Sequence, residues 1–215
     1  PFGSPLLLER MRTIVRAGPG GGYSLDPACF DFLTGPRMFA EALVERLGGP
    51  PREPHGEITT FHHDVARSAQ ARLEEVLLDK VRYLHTRVPT RHLCMAGGVA
   101  LNCVANGRLL REGPFDRLFV QPAAGDAGGC LGAAALAHRA LTGRGPSTAA
   151  LDHVYLGPRF SADAVMEQLA ALEVDALDFR GREAALLAAT VDRLAAGQVV
   201  AWFHGGMEFG PRALG

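Results

Sequence analysis

Three glycine-rich stretches hold the residues of this sequence best suited to chemistry. The first is Met95-Ala96-Gly97-Gly98-Val99-Ala100-Leu101-Asn102-Cys103-Val104-Ala105-Asn106. An apolar run, Leu93-Cys94-Met95-Ala96, enters Gly97-Gly98, where the backbone takes conformations or admits close approaches that a Cβ forbids. The residues after the pair read as a helix start, so unpaired N–H groups face whatever lies over the glycines. Asn102 and Asn106, four apart, share one face of that helix. Phosphate or ribose is the natural guest of such a turn, although strand–Gly–Gly–helix joints also occur for purely structural reasons.

The second stretch, Gln121-Pro122-Ala123-Ala124-Gly125-Asp126-Ala127-Gly128-Gly129-Cys130, repeats the logic: strand, tight turn, glycines, helix. Asp126 stands at the helix start, where it suits either an N-cap or a hard oxygen ligand for a divalent ion. Gly128, Gly129 and Gly132 lower helix propensity there, which points to something approaching the backbone. The third stretch runs from Gly205 to Gly215 and holds Glu208 and Arg212. The Arg212 fork of donors matches phosphate or carboxylate, and a structural Glu–Arg pair is equally open. His62 and His63 are adjacent, so their side chains diverge; a surface or capping role is expected rather than chelation of one ion. Gln70 reads as an ordinary polar position.

These stretches need elements to carry them. The clearest is a helix whose stripe is Val65, Ala69, Leu73, Val76, Leu77, Val81 and Leu84, with Arg67, Arg72, Glu75 and Arg82 opposite and Pro89 as its stop. Alternating units follow: a strand over 92–96, a helix over about 99–112, a strand over 117–121 and a helix over about 127–142. That alternation argues for parallel pairing and an α/β fold, in which two such turns lie at the strands' carboxyl ends, where open sheets bind ligands. Upstream, 6–15 reads as a helix, 18–22 as a turn, 23–26 as a short strand and 48–55 as a loop. Downstream, 141–148 reads as a linker. A strand near 154–156, a helix over 161–172 capped by Ser161, a helix over 183–196 and a strand over 199–203 complete the chain.

Composition sets the frame. The 215 residues are 47% hydrophobic and 21% charged, with formal net charge −1. That profile fits an ordinary globular chain and gives no electrostatic case for nucleic acid. No apolar run approaches the roughly 20 residues a membrane helix needs. Cys29, Cys94, Cys103 and Cys130 lack paired spacing. The last three sit in apolar segments and are expected to be buried thiols in a reducing compartment, the cytoplasm by default.

Taken together, Ala96 to Leu109, Phe119 to Gly129 and Met207 to Gly215 resemble the carbamoyltransferases of the nodulation and antibiotic-tailoring type, the NodU/CmcH family that includes the tobramycin carbamoyltransferase. His63-Asp64-Val65-Ala66 with Gln70, and Pro50-Pro51-Arg52, fit the same pattern. The resemblance implies an α/β domain of the actin-like ATPase (ASKHA) superfold followed by a YrdC-like region. It places 1–145 in the second half of the former and 146–215 at the start of the latter. It implies that carbamoyl phosphate and ATP give carbamoyl-adenylate, whose carbamoyl group passes to a hydroxyl of a small-molecule acceptor. Gly97, Gly98, Asn102, Asn106 and Gly128 would then serve the nucleotide. Asp126 would complete an iron-type (Fe2+) metal site with two histidines, and Arg212 with Glu208 would meet phosphate or carbamoyl. A homodimer is compatible with the resemblance.

One departure matters. The family's two metal-binding histidines come from a His-x-x-x-His segment, and this sequence has none. The chain is therefore expected to be a middle fragment, inactive by itself, in which a lone Asp126 is a poor metal site without those histidines. A threonylcarbamoyl-transfer or hydrogenase-maturation relative shares the Gly-Gly-Val turn, but the third stretch speaks against both. A non-catalytic nucleotide-binding or interaction module is the alternative from another class.

Overall fold

The protein is described by a computed structural model that covers residues 2–33, 35, 37–145, 151 and 153–211. The chain divides into two compact units, Pro1–Gln121 and Pro122–Gly215.

The first unit is built around α3, Thr60–Arg87, preceded by α1 (Leu8–Ile14), β1 (Val15–Ala17), β2 (Tyr23–Leu25) and α2 (Glu41–Leu47). After α3 come β3 (His92–Met95), α4 (Cys103–Glu112) and β4 (Arg117–Val120). β1 and β2 form an antiparallel pair. β3 and β4 pair in parallel, with His92 opposite Arg117 and Met95 opposite Val120, as the strand–helix–strand reading requires. The expected α/β character is therefore present, in two small two-stranded sheets.

Two apolar clusters flank α3. Leu78, Val81, Leu93, Leu109 and Phe115 join it to α4 and the parallel pair, while Met11, Ile14 and Cys29 gather beside Val65, Leu43 and Leu47. Because α3 is covered on two sides, its burial departs from the predicted single stripe: Val76 and Val81 are buried, whereas Ala69 and Leu84 are exposed. Asp64, Ser68, Arg72 and Glu74 are buried too, although Arg72 was expected on the solvent face. Each has a partner, as burial of polar groups demands. Asp64 Oδ1 and Ser68 Oγ accept from the backbone N–H groups of Ser4 and Leu7 at 2.6 and 3.0 Å, which ties the segment before α1 to α3. Arg72 Nε donates to Val15 O at 2.8 Å and Arg72 Nη1 to Glu75 at 2.7 Å.

At the start of α3, Thr59 and His62 form a reciprocal cap in which His62 Nδ1 accepts from Thr59 N at 3.1 Å. His63 stacks on Phe2. The two histidines thus do the capping and surface work expected of them.

Asp26 anchors the β2 end: its carboxylate accepts from Arg46 at 2.7 Å and from Ala28 N at 3.1 Å. The Arg46 hydrogen bond, followed by that of Ala28, holds its pKa below the ordinary carboxylate value. A carboxylate with a lowered folded pKa stabilises above its unfolded pKa of about 3.9 and loses that contribution as pH falls through the folded value. The stability gap between wild type and Asp26→Asn, read from urea midpoints, is expected to be constant above about pH 5 and to shrink below about pH 4.

The second unit holds α5 (Gly129–Thr142), α6 (Ala162–Ala171) and α7 (Glu183–Ala195). Ser161 caps α6 as predicted, its Oγ accepting from Ala164 N at 3.1 Å. Two expected strands do not form. Val154–Leu156 closes a tight turn, with Leu156 N donating to Val154 O at 2.9 Å. The run 199–203 pairs with no other described segment, and Val199 is fully exposed. An apolar run becomes a strand only when a neighbour completes its ladder. Instead, 157–159 lies antiparallel to 206–207, through Gly157 N to Met207 O at 2.9 Å and Met207 N to Pro158 O at 3.0 Å. Of the cysteines only Cys29 is buried; Cys94, Cys103 and Cys130 are exposed, against expectation. Cys94 falls on the outward face of the β3 pleat, beside buried Leu93, and Cys103 opens α4. Most of the predicted linker 141–148 lies outside the described helix, and 146–148 lies outside the described residues. Among the described residues no helix is long and apolar enough to cross a membrane.

Candidate functional site

β3 ends at Met95, and two residues later Gly97 adopts φ 95°, ψ 162°. That region is essentially restricted to glycine, so the residue type follows from the turn. A short 3-10 turn, Gly98–Leu101, follows, and α4 begins only at Cys103. The predicted continuous helix is thus broken at Asn102, which takes φ −78°, ψ 88° and caps α4. Its Oδ1 accepts from Ala105 N at 3.0 Å, the competition between a short polar side chain and the helix backbone that makes asparagine a capping residue.

Asn102 is thus the non-helical cap of α4 and Asn106 lies within its first turns, so the two are not both inside one continuous helix. Asn106 Nδ2 donates to Ala100 O at 2.7 Å. Its Oδ1 is buried and has no hydrogen-bond partner among the described residues. Ala100 and Ala105 are buried beneath the turn. Above it the space is open: a Cβ built on Gly97 or on Gly98 meets no described atom within 4 Å, chain neighbours aside. The leading N–H groups of the 3-10 turn have no acceptor within it.

Sequence reasoning gave Gln70 no role, and it did not single out Glu74 or Arg108. Asn102 Nδ2 donates to Gln70 Oε1 at 2.8 Å, and Gln70 Nε2 donates to Asn102 Oδ1 at 3.2 Å and to Glu74 Oε1 at 2.8 Å. Arg108 closes the network with Nη1 on Glu74 at 2.9 Å and Nε on Glu112 at 2.9 Å. The hydrogen bonds it donates to Glu112 and then to Glu74 push the Arg108 pKa above its ordinary value. The available signal was the four-residue spacing of Gln70 and Glu74 on one helix face.

The second turn is housed in the other unit. Asp126 opens a 3-10 turn, Asp126–Gly128, whose N-cap is Gly125. Asp126 is exposed and does not serve as the cap. Gly128 packs so closely on Ala123 O that any Cβ would collide with it, whereas Gly129 and Gly132 face open space. Among the described residues no three His, Cys, Asp or Glu side chains gather in a way that could hold a metal ion. Glu208 is half-buried in the segment that follows the 206–207 bridge, and Arg212 lies outside the described residues.

A family described as carbamoyltransferase N-terminus matches residues 8–135, which span both glycine turns and the Gln70 network. The chain belongs to the carbamoyltransferase family. Its relatives include an uncharacterized protein of Synechocystis, 39% identical over all of this chain and 36% of the relative. The nodulation protein NolO of Bradyrhizobium diazoefficiens is 40% identical over 84% of this chain and 31% of its own. A 3'-hydroxymethylcephem-O-carbamoyltransferase of Streptomyces clavuligerus is 40% identical over 57% of this chain and 21% of its own. The chain thus spans about a third of the length of the Synechocystis and Bradyrhizobium relatives.

Proposed function

We propose that this chain carries the nucleotide wall of an O-carbamoyltransferase. In that reading carbamoyl phosphate, ATP and one water give carbamoyl-adenylate, with phosphate leaving the carbamoyl group and pyrophosphate leaving ATP, and the carbamoyl group is then passed to a hydroxyl of a small-molecule acceptor. The transfer forms a bond from the acceptor oxygen to the carbamoyl carbon and breaks the bond from that carbon to the adenylate oxygen. AMP leaves with the electron pair, and the hydroxyl proton is released. Within this chain the work is binding and orientation: donors of the Gly97–Gly98 turn face phosphate oxygens, where fixed dipoles stabilise negative charge. Asn102 and Asn106 hold that turn, and Gly128 with the open Gly129 and Gly132 lines the second. Glu208 and Arg212 are assigned to the phosphate or carbamoyl group.

The observation that carries the reading is the open glycine pair at the carboxyl end of a parallel strand, in a chain of this family. The described residues do not fit an iron site. Asp126 would supply one ligand, and among the described residues no three His, Cys, Asp or Glu side chains gather to complete a set. The free cysteines suit a reducing compartment such as the cytoplasm.

Calorimetric titration of ATP tests the site. Gly98 has no positive φ, so Gly98→Val fills the space over the turn without the strain a Gly97 change brings. The variant is expected to bind ATP at least about tenfold more weakly, a loss of about 1.4 kcal/mol, with an unchanged melting midpoint. Equal affinity in wild type and variant overturns the assignment.

A further inference from the structure

The contacts around Asn102 fix more than a helix cap. A backbone N–H donor, that of Ala105, faces one atom of its amide, so that atom is the oxygen. The other atom is then the nitrogen, and its neighbour on Gln70 at 2.8 Å is the Gln70 oxygen. Gln70 Nε2 in turn lies 2.8 Å from a Glu74 carboxylate oxygen, the acceptor that orientation requires. Three side chains on two helices thus have their donors and acceptors ordered in a single sense. Glu74 is 4% exposed and is itself held by Arg108, which Glu112 braces.

We propose that Gln70 is the positioning residue of the Gly97–Gly98 turn: its reciprocal amide pair with Asn102, set by Glu74 and Arg108, holds the joint between the turn and α4. Asn102 has non-helical backbone angles and is the point where the 3-10 turn gives way to α4. Ala105 N alone leaves the Asn102 side chain one anchor; Gln70 adds two hydrogen bonds from α3, thirty-two residues away in sequence. A half-satisfied buried polar network is less favourable than none, so the pair acts as a unit. The consequence for ATP rests on the nucleotide reading above, whereas the consequence for the turn does not.

Hydrogen exchange on the full chain separates the two. The reporters are the Ala100 and Asn102 amides, which donate to Gly97 O and Val99 O at 3.0 Å each; the Gly113 amide at the far end of α4 is the control. In Gln70→Ala the two reporters are expected to exchange about tenfold faster while Gly113 is unchanged. Asn102→Asp keeps the acceptor for Ala105 N and removes the donor to Gln70, so it is expected to free the turn without melting α4. Gln70→Glu supplies a signature that simple space-filling does not. Ionised, it sets a carboxylate against Glu74; protonated, it regains a donor. Protection of the turn relative to wild type at the same pH is therefore expected to recover as pH falls through the carboxyl's raised pKa. Reporters that exchange at wild-type rates in Gln70→Ala and Asn102→Asp overturn the proposal, as does Gln70→Glu protection that is flat with pH. A loosened turn in a chain that binds no ATP upholds the positioning role and removes the nucleotide reading. A loosened turn with ATP affinity lowered in parallel supports both.

Discussion

Gly97→Ala is expected to lower stability by about 1–3 kcal/mol and to abolish ATP binding at the turn. The energetic part follows from φ 95°, ψ 162°, a region an alanine enters only against its own Cβ. No described neighbour would clash with the new methyl group, so the cost is backbone strain and not collision. The chain is expected to relieve that strain by pulling Gly97 toward negative φ. The motion breaks the Ala100 N to Gly97 O bond and scatters the donors of the open face. Urea denaturation measures the first effect and titration the second. A Gly97→Ala variant as stable as wild type would mean that the turn does not hold this geometry in solution.

Phe115→Ala is expected to cost about 3–5 kcal/mol, the largest effect of any single truncation in the first unit. Phe115 is 6% exposed and packs with Leu78, Val81, Leu93 and Leu109, where α3, α4 and the parallel pair meet. His85 adds an edge contact, with ring centroids 5.3 Å apart. Removing the ring leaves a cavity that residues on three different elements cannot collapse together to fill. Leu136, by contrast, is 72% exposed on α5, and Leu136→Ala is expected to change stability by less than about 0.5 kcal/mol. Chemical denaturation of the two variants side by side checks both values. A Phe115→Ala cost below about 1 kcal/mol would contradict the packing described.

Much of the first unit was legible because its signals are local. The 3.6-residue period, Pro89 and the Gly-Gly pair located α3, the β3 edge and the turn. The Ser161 cap was equally plain. What sequence reasoning lost depended on partners. Arg72 looks like a solvent residue until α1 and β1 cover it, and 199–203 looks like a strand until one asks what it pairs with. The buried-thiol reading failed for Cys94 because a strand's two faces alternate and the neighbour, Leu93, takes the inner one.

At the site the glycines were readable and the asparagines only half so. Spacing placed Asn102 and Asn106 together, but Asn102 is the non-helical cap of α4 and Asn106 bonds back to Ala100 O, roles that a continuous helix would not give them. Gln70 fitted the family pattern without a role and Glu74 carried no signal beyond their interval, since the partners that give them meaning, Asn102 and Arg108, arrive more than thirty residues later. Asp126 is an exposed carboxylate, and among the described residues no three His, Cys, Asp or Glu side chains gather in a way that could hold a metal ion.

The central claim is that the open face over Gly97 and Gly98 receives a nucleotide phosphate. Amide nitrogen–proton shifts followed during an ATP titration address it residue by residue. The amides of Gly97, Gly98 and Val99 are expected to move first and furthest, and to stay still when adenosine replaces ATP. Shifts confined to other segments, or equal shifts with adenosine, would contradict it.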